Sequence, residues 1–267
     1  MIFDSHAHYN DSKFEDRDTL LSSLFADGVG AIVNASVSVV DSKRTLELCE
    51  AHPNMFAAVG IHPSDIDKVG RLDSAVSEIE ALAAHPKAVA VGEIGLDYYW
   101  EPYDKDKQKA FFISQLELAR KINMPVVIHD RESHGDVDEI IRAFPDVKIL
   151  LHSYSGSAEW ARELTKAGRY ISFSGVVTFK NARKAVEAAE VVPIDKLLIE
   201  TDCPYLAPTP LRGSVNHSGN LLYTAGRLAE IKGISLEDML SITFENACKF
   251  YNIDKSMLTD ISGKEIL

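Results

Sequence analysis

Residues 2–8 read IFDSHAH, a short apolar run that gives way to two histidines two positions apart. On a helix, neighbours i and i+2 point in different directions; on extended chain they share one face. The stretch therefore reads as a first strand over Ile2–Asp4 whose end delivers His6 and His8 to one spot. Two imidazoles at one spot suggest a metal, provided the rest of the chain supplies more ligands. A secretion signal would need a basic start and a longer apolar core, and neither is found here.

Working outward, the same kind of run recurs. AIVNAS covers Ala31–Ser36, FAAVGIH ends at His62, and AVAVGEIGLD holds a run from Ala88 to Ile94. PVVIH ends at His129, VKILLH at His152, YISFSG covers Tyr170–Gly175, and KLLIETD ends at Asp202. These eight runs are short and apolar on both faces, as buried parallel strands are. Between them lies helical text. SKRTLELCEAH places Leu46 and Cys49 on one stripe, and DKQKAFFISQLELARKIN spaces Phe112, Leu116 and Ala119 at i, i+4 and i+7. SAEWARELTKAG stops on Gly168, and SLEDMLSITFENACKFYNI opens with Ser235 as N-cap and Asp238 three residues on. Eightfold strand–helix alternation predicts an α/β chain folded as a single-domain (β/α)8 TIM-like barrel over residues 1–253, with a looser C-terminal tail at 254–267. A doubly wound sheet is the rival, but it usually has fewer strands and often a glycine fingerprint after the first, and neither G-x-G-x-x-G nor a P-loop is present.

In a barrel the chemistry sits at the C-terminal ends of the strands, which gathers scattered residues into one set. Strand one ends in His6 and His8, strand four in Glu93, strand five in His129, strand six in His152 and strand eight in Asp202. A lone histidine at a strand end is more often a satisfied polar residue than a ligand, but six N and O donors all at strand ends are hard to obtain by chance. They are too many for one tetrahedral ion and suit two divalent ions per subunit with one carboxylate bridging. Glu93 is the natural bridge, and Asp202 the group to hold the attacking water and take its proton. His62, in GIHP, points into the mouth as a candidate substrate contact. Arg131 follows a ligand strand end, where its planar fork suits phosphate; a salt bridge to Glu132 or Asp136 is the plainer alternative. Asp97, Tyr98 and Glu200 are placed to orient the ligands. Ser174 and Gly175 leave room at the end of strand seven. His52 and His85 precede prolines and read as surface caps, and His134 as a solvent-facing loop residue.

The whole chain bounds these readings. It has 267 residues, 46% hydrophobic, with a mean hydropathy of -0.06. That is ordinary globular material for one large core. No apolar run approaches the roughly 20 residues of a membrane helix. Three cysteines, Cys49, Cys203 and Cys248, show no paired spacing, which fits reduced thiols and a cytoplasmic setting. The net charge of -12 argues against a general nucleic-acid coat protein. It does not exclude an enzyme on nucleic acid, because bound cations add local charge.

FDSHAH, GIHP, GEIGLDYY, PVVIHDR, LHSYSG, SFSGVVTFKNA and ETDCPYLAPTPLRG together resemble the TatD-related metal-dependent deoxyribonucleases, an amidohydrolase-like group of barrels. The resemblance runs from Met1 to about Ile253, and GEIGLDYY with ETDCPYLAP carries most of its specificity. It implies hydrolysis of DNA phosphodiesters, typically 3′→5′ exonuclease action on single-stranded ends, with divalent metal such as Zn, Mg or Mn. It maps the metal ligands onto the same six residues, and substrate contacts near His62, Arg131 and Arg212. There is a departure: relatives often follow the last motif with two basic residues, where Ser214 and Val215 stand here. Fewer cations beside a phosphate site weaken nucleic-acid binding. A small amide or ester, or a D-aminoacyl-tRNA, is therefore the alternative substrate. A metal-binding protein without turnover is disfavoured by the intact set.

Overall fold

In the computed structural model, residues 1–259 are described. The apolar runs become strands, each followed by a helix: β1 (Ile2–Ala7), α1 (Arg17–Ala26), β2 (Val29–Ala35), α2 (Val39–Ala51), β3 (Met55–Val59), α3 (Leu72–Ala83), β4 (Ala88–Asp97) and α4 (Lys105–Ile122). Then come β5 (Val126–Arg131), α5 (His134–Arg142), β6 (Ile149–Leu151), α6 (Ala158–Lys166), β7 (Tyr170–Phe173), α7 (Arg183–Val191), β8 (Leu197–Ile199), α8 (Leu221–Lys232) and α9 (Leu236–Tyr251). The strands lie in sequence order in one sheet of eight, each parallel to the next. This is the single-domain TIM-like (β/α)8 barrel that the alternation predicts.

Three strands are shorter than their apolar text. β3 stops at Val59, β6 at Leu151 and β8 at Ile199, so His62, His152 and Asp202 stand on the loops just beyond, while His6, Glu93 and His129 lie within strands. The barrel interior is filled by Phe3, Val33, Phe56, Val127, Leu150 and Leu198, all buried. α9 closes the floor: Phe3 meets Phe244 edge-on at 5.5 Å and stacks on Tyr251 at 6.1 Å. The Tyr251 hydroxyl donates to Ser5 O at 2.7 Å. Ser235 caps α9 by accepting from the Asp238 amide at 3.0 Å.

The seam between β8 and β1 is closed differently from the others. Among the described residues no ladder joins these two strands. Instead, the Asp202 amide donates to His6 O at 3.0 Å and the His8 amide to Cys203 O at 2.8 Å. Below them, Asp4 Oδ1 accepts from the Thr201 amide at 3.0 Å, and Asp4 Oδ2 from the Thr201 and Ser218 hydroxyls at 2.6 and 2.7 Å.

Two expectations change. His52 is the C-cap of α2 but does not lie at the surface: it is 9% exposed and pairs with Asp18 at 3.2 Å. The start of the expected tail is tied down, since Asn54 donates to Thr259 O at 2.9 Å and accepts from its amide at 2.8 Å. The rest of that tail, residues 260–267, lies outside the described residues.

Candidate metal centre

β1 and β4 each carry a local extra residue where they approach the mouth. Between the pairs Asp4–Ile32 and Ala7–Asn34, three steps on β1 face two on β2. Between Val91–Val126 and Ile94–Ile128, three steps on β4 face two on β5. Bulges of this kind re-aim side chains, and here they bracket His6 and Glu93. Gly95, with φ +143°, lets β4 run close against β5: a Cβ there would collide with His129 O. Asp202 adopts a left-handed backbone, φ 55°, a conformation Asp tolerates better than most residues.

The result is one cluster with two faces. Glu93 Oε2 lies 3.3 Å from both His6 Nε2 and His8 Nε2. Those two nitrogens are 3.0 Å apart, and Asp202 Oδ1 is 3.7 and 3.3 Å from them. On the other side, Glu93 Oε1 lies 2.7 Å from His129 Nδ1, 2.8 Å from His152 Nε2 and 3.5 Å from His62 Nε2. Donors placed tetrahedrally at 2.0–2.2 Å around one ion stand about 3.3–3.6 Å apart. The first face matches that spacing, and on the second Glu93 Oε1 sits at hydrogen-bond distance from two imidazoles. Among the described residues, triplets of donors that could hold a cation are His6–His8–Glu93, His6–His152–Asp202 and His62–Glu93–His129.

The far nitrogens are anchored. His129 Nε2 pairs with Asp97 Oδ2 at 3.0 Å, His152 Nδ1 with Glu200 Oε1 at 3.2 Å, and His8 Nδ1 with Ala35 O at 3.1 Å. This is the outer support that orients ligating histidines. Among the described residues His6 Nδ1 is buried without a partner, and its ring is held instead by stacking on His152 at 4.1 Å.

The charges are those of a site made for cations. Burial opposes a charged Glu93, but His152, His62 and His6 outweigh it and hold its carboxyl well below the usual range. Burial likewise opposes a charged His8, yet Asp202 and Glu93 raise it to about 10. His129 is raised against burial by Asp97 and Glu93, and His152 by Glu93 and Glu200. His6 is lowered by burial and by His152. In the protein alone, the carboxylates favour protons on His8, His129 and His152. Ligating imidazoles must be neutral, so divalent cations fit by replacing those protons.

All six expected ligands thus meet, and His62 joins them closely enough to belong to the cluster's edge. Arg131 and Arg212 do not reach it. Arg131 is exposed, with its guanidinium 4.1 Å from the Tyr99 ring. Arg212 is exposed on the other side of the mouth, 4.2 Å over Phe179. The alternative for Arg131, a salt bridge to Glu132 or Asp136, is not formed among the described residues: Asp136 pairs with Lys109 at 2.8 Å and with the Tyr98 hydroxyl at 2.7 Å. Tyr98 therefore points away from the centre. Gly175 makes room for Leu206 O rather than for substrate. His134 opens α5 and pairs with Asp130 at 2.6 Å. The cleft above the cluster, about 380 Å³, is also lined by Asn10, Asp11, Asp41 and Tyr205, which the sequence analysis passes over; the polar Asn10–Asp11 pair so soon after HAH was the available signal.

Fold and site together define a single-domain (β/α)8 barrel with a histidine–carboxylate cluster at its mouth. A family model described as TatD related DNase matches residues 3–252, and the chain belongs to that family. A Bacillus subtilis relative, the uncharacterized metal-dependent hydrolase YabD, is 40% identical over 257 residues, spanning 95% of this chain and 100% of its own. The uncharacterized metal-dependent hydrolase TatD of Mycobacterium tuberculosis is 36% identical, over 94% of this chain and 98% of its own. The crystal structure of YJJV, a TatD homolog from Escherichia coli, superposes with a TM-score of 0.87 at 26% identity, covering 95% of this chain and 98% of that one.

Proposed function

We propose that this chain is a divalent-metal-dependent hydrolase that cleaves DNA phosphodiesters, removing nucleotides from a single-stranded 3′ end. The observation that carries the reading is Glu93, whose two oxygens address two separate donor sets, as a carboxylate bridging a pair of ions does. His6, His8 and Asp202 would hold one ion and His129 and His152 the other. Four imidazoles favour Zn or Mn over Mg, which prefers oxygen ligands. When bound, such ions acidify water and polarise a phosphoryl oxygen.

The chain's own residues supply the rest. Asp202 Oδ1 faces the histidines, and Oδ2 has no hydrogen-bond partner among the described residues, so Oδ2 is free to take the proton of the attacking water. Its carboxyl is held low, against burial, chiefly by His8. Asp97 and Glu200 hold the His129 and His152 rings in place. His62, anchored to Ser64 Oγ through Nδ1 at 2.7 Å, presents Nε2 at the edge of the cluster, within reach of a phosphate oxygen.

The test is a ladder from 5′-labelled single-stranded DNA with Mg, Mn or Zn, comparing the wild type with Glu93→Ala. Stepwise shortening from the 3′ end by the wild type alone is expected. No shortening by folded, metal-loaded wild type overturns the DNA reading. It then favours a small ester or amide, or a D-aminoacyl-tRNA, a reading that the acid-lined mouth and the missing basic pair at Ser214 and Val215 already lend some weight.

A further inference from the structure

Beside the cluster, the rim of the mouth carries aromatic surface that the folded chain does not use. Tyr99 and Trp100, on the loop after β4, are 51% and 63% exposed. Their rings meet edge-to-face at 4.8 Å. The Arg131 guanidinium sits 4.1 Å from the first ring and 5.8 Å from the second. Exposed aromatic rings with an arginine beside them offer planar, partly apolar faces on which another planar group can lie.

This group is wired to the centre. The Tyr99 and Trp100 amides donate to Asp97 Oδ1 at 2.9 and 3.4 Å, while Asp97 Oδ2 holds His129 at 3.0 Å. One carboxylate thus fixes both a candidate ligand and the rim aromatics. Arg131 is fixed from the neighbouring strand, through Tyr98 N–H to Arg131 O at 2.9 Å. Ser64 lines both the central cleft and a smaller one, about 210 Å³, that Trp100 borders, so the two clefts lie side by side.

The charge around Trp100 decides what can lie there. Asp67, Asp97, Glu101 and Asp104 line that smaller cleft; Lys107 offsets Asp67, and the net acidic lining disfavours a phosphate chain. A nucleobase has no charge, and every base has a face that stacks on an aromatic ring. We propose that Tyr99, Trp100 and Arg131 form a stacking platform for an unpaired base of the substrate strand, next to the bond being cleaved. The platform rests on the nuclease reading above and makes a structural demand of the substrate. A base inside a duplex has both faces covered by its neighbours, and the terminal pair of a blunt end bares only its outer face, so a duplex end engages the platform more weakly than a single strand does.

The test uses the metal-loaded full chain and two readouts. First, in a Trp160→Phe background, Trp100 emission is titrated with a short oligothymidylate whose 3′ linkage is a phosphorothioate, and with a blunt hairpin of similar length. Stronger quenching by the single strand than by the hairpin is expected. Second, steady-state cleavage of single-stranded DNA is compared for wild type, Trp100→Ala and Trp100→Phe. The alanine variant is expected to raise KM about tenfold or more with kcat within about twofold, and phenylalanine to restore KM. If the wild type cleaves DNA but Trp100→Ala leaves KM unchanged, or the hairpin quenches as well as the single strand, the platform is overturned and the nuclease reading stands. If folded wild type cleaves no DNA, both fall.

Discussion

Glu93 answers to a different group of histidines through each of its oxygens, and Asp97 and Glu200 fix two of those histidines from behind. Asp97→Asn should leave the fold intact and weaken metal binding by about 10–100-fold, since the support of a ligating imidazole is lost; a competition titration against a coloured chelator measures it, and unchanged affinity would remove Asp97 from the site. His134 gives a pH signature away from the ligands. Its hydrogen bond to Asp130 outweighs partial burial and raises it above its ordinary 6.5. Because the folded value is the higher one, the pair's contribution to stability is complete below 6.5 and fades as pH rises through the folded value. A proton NMR titration should place the His134 midpoint above 6.5, and Asp130→Asn should bring it back down. At this scale the sequence was most legible where a donor residue follows an apolar run, as at His6, Glu93 and Asp202. It was least so where only a side chain's direction matters: Tyr98 and Asp97 are neighbours in GEIGLDYY, yet one turns outward to Asp136 and the other inward to His129.

Among the elements, α4 does something its amphipathic stripe does not announce. Gln115 donates to Ile61 O at 3.1 Å and accepts from the Ile61 amide at 2.8 Å. Gln108 bonds both backbone groups of Asp97 at 2.8 Å. Gln115 imitates a strand partner for Ile61, which has left the sheet, and Gln108 does the same for Asp97 at the end of β4; the two steady the approach to His62 and to the centre. Gln108→Ala strands a buried donor and a buried acceptor, and should cost about 2–4 kcal/mol; urea unfolding of the metal-free protein would show it, and a loss under about 0.5 kcal/mol would mean water takes over both bonds. Periodicity found α4 because Phe112, Leu116 and Ala119 repeat at the helical interval. It could not find this role, since a buried glutamine and a solvated one look alike in sequence. The strand limits were misjudged for a related reason: GIH, LLH and ETD continue the apolar text, while the backbone leaves the ladder to bring the polar residue over the mouth.

For the whole molecule, the cluster concentrates charge that only cations or protons can balance, so stability and metal content are linked. At free metal about 1,000-fold above Kd, binding adds roughly 4 kcal/mol. For a domain of this size that is about 8–16 °C in Tm. Calorimetry with and without a chelator should show the difference, and equal Tm values would mean the cluster holds no ion in the folded state. Among the described residues no helix is long and apolar enough to cross a membrane.

The seam between β8 and β1 gives that linkage a time course. Its two backbone bonds belong to His8 and Asp202, so the barrel cannot unzip there without pulling two of the donors apart. Hydrogen exchange should register this at two addresses. The amides of His8 and Asp202 should exchange much more slowly once metal is added, while those of the β5–β6 ladder, already locked by Val126 and Ile128, barely change. Escape of the ion and opening of the barrel would then share one rate, and a slow-leaking site would be the mark of a seam that seldom parts.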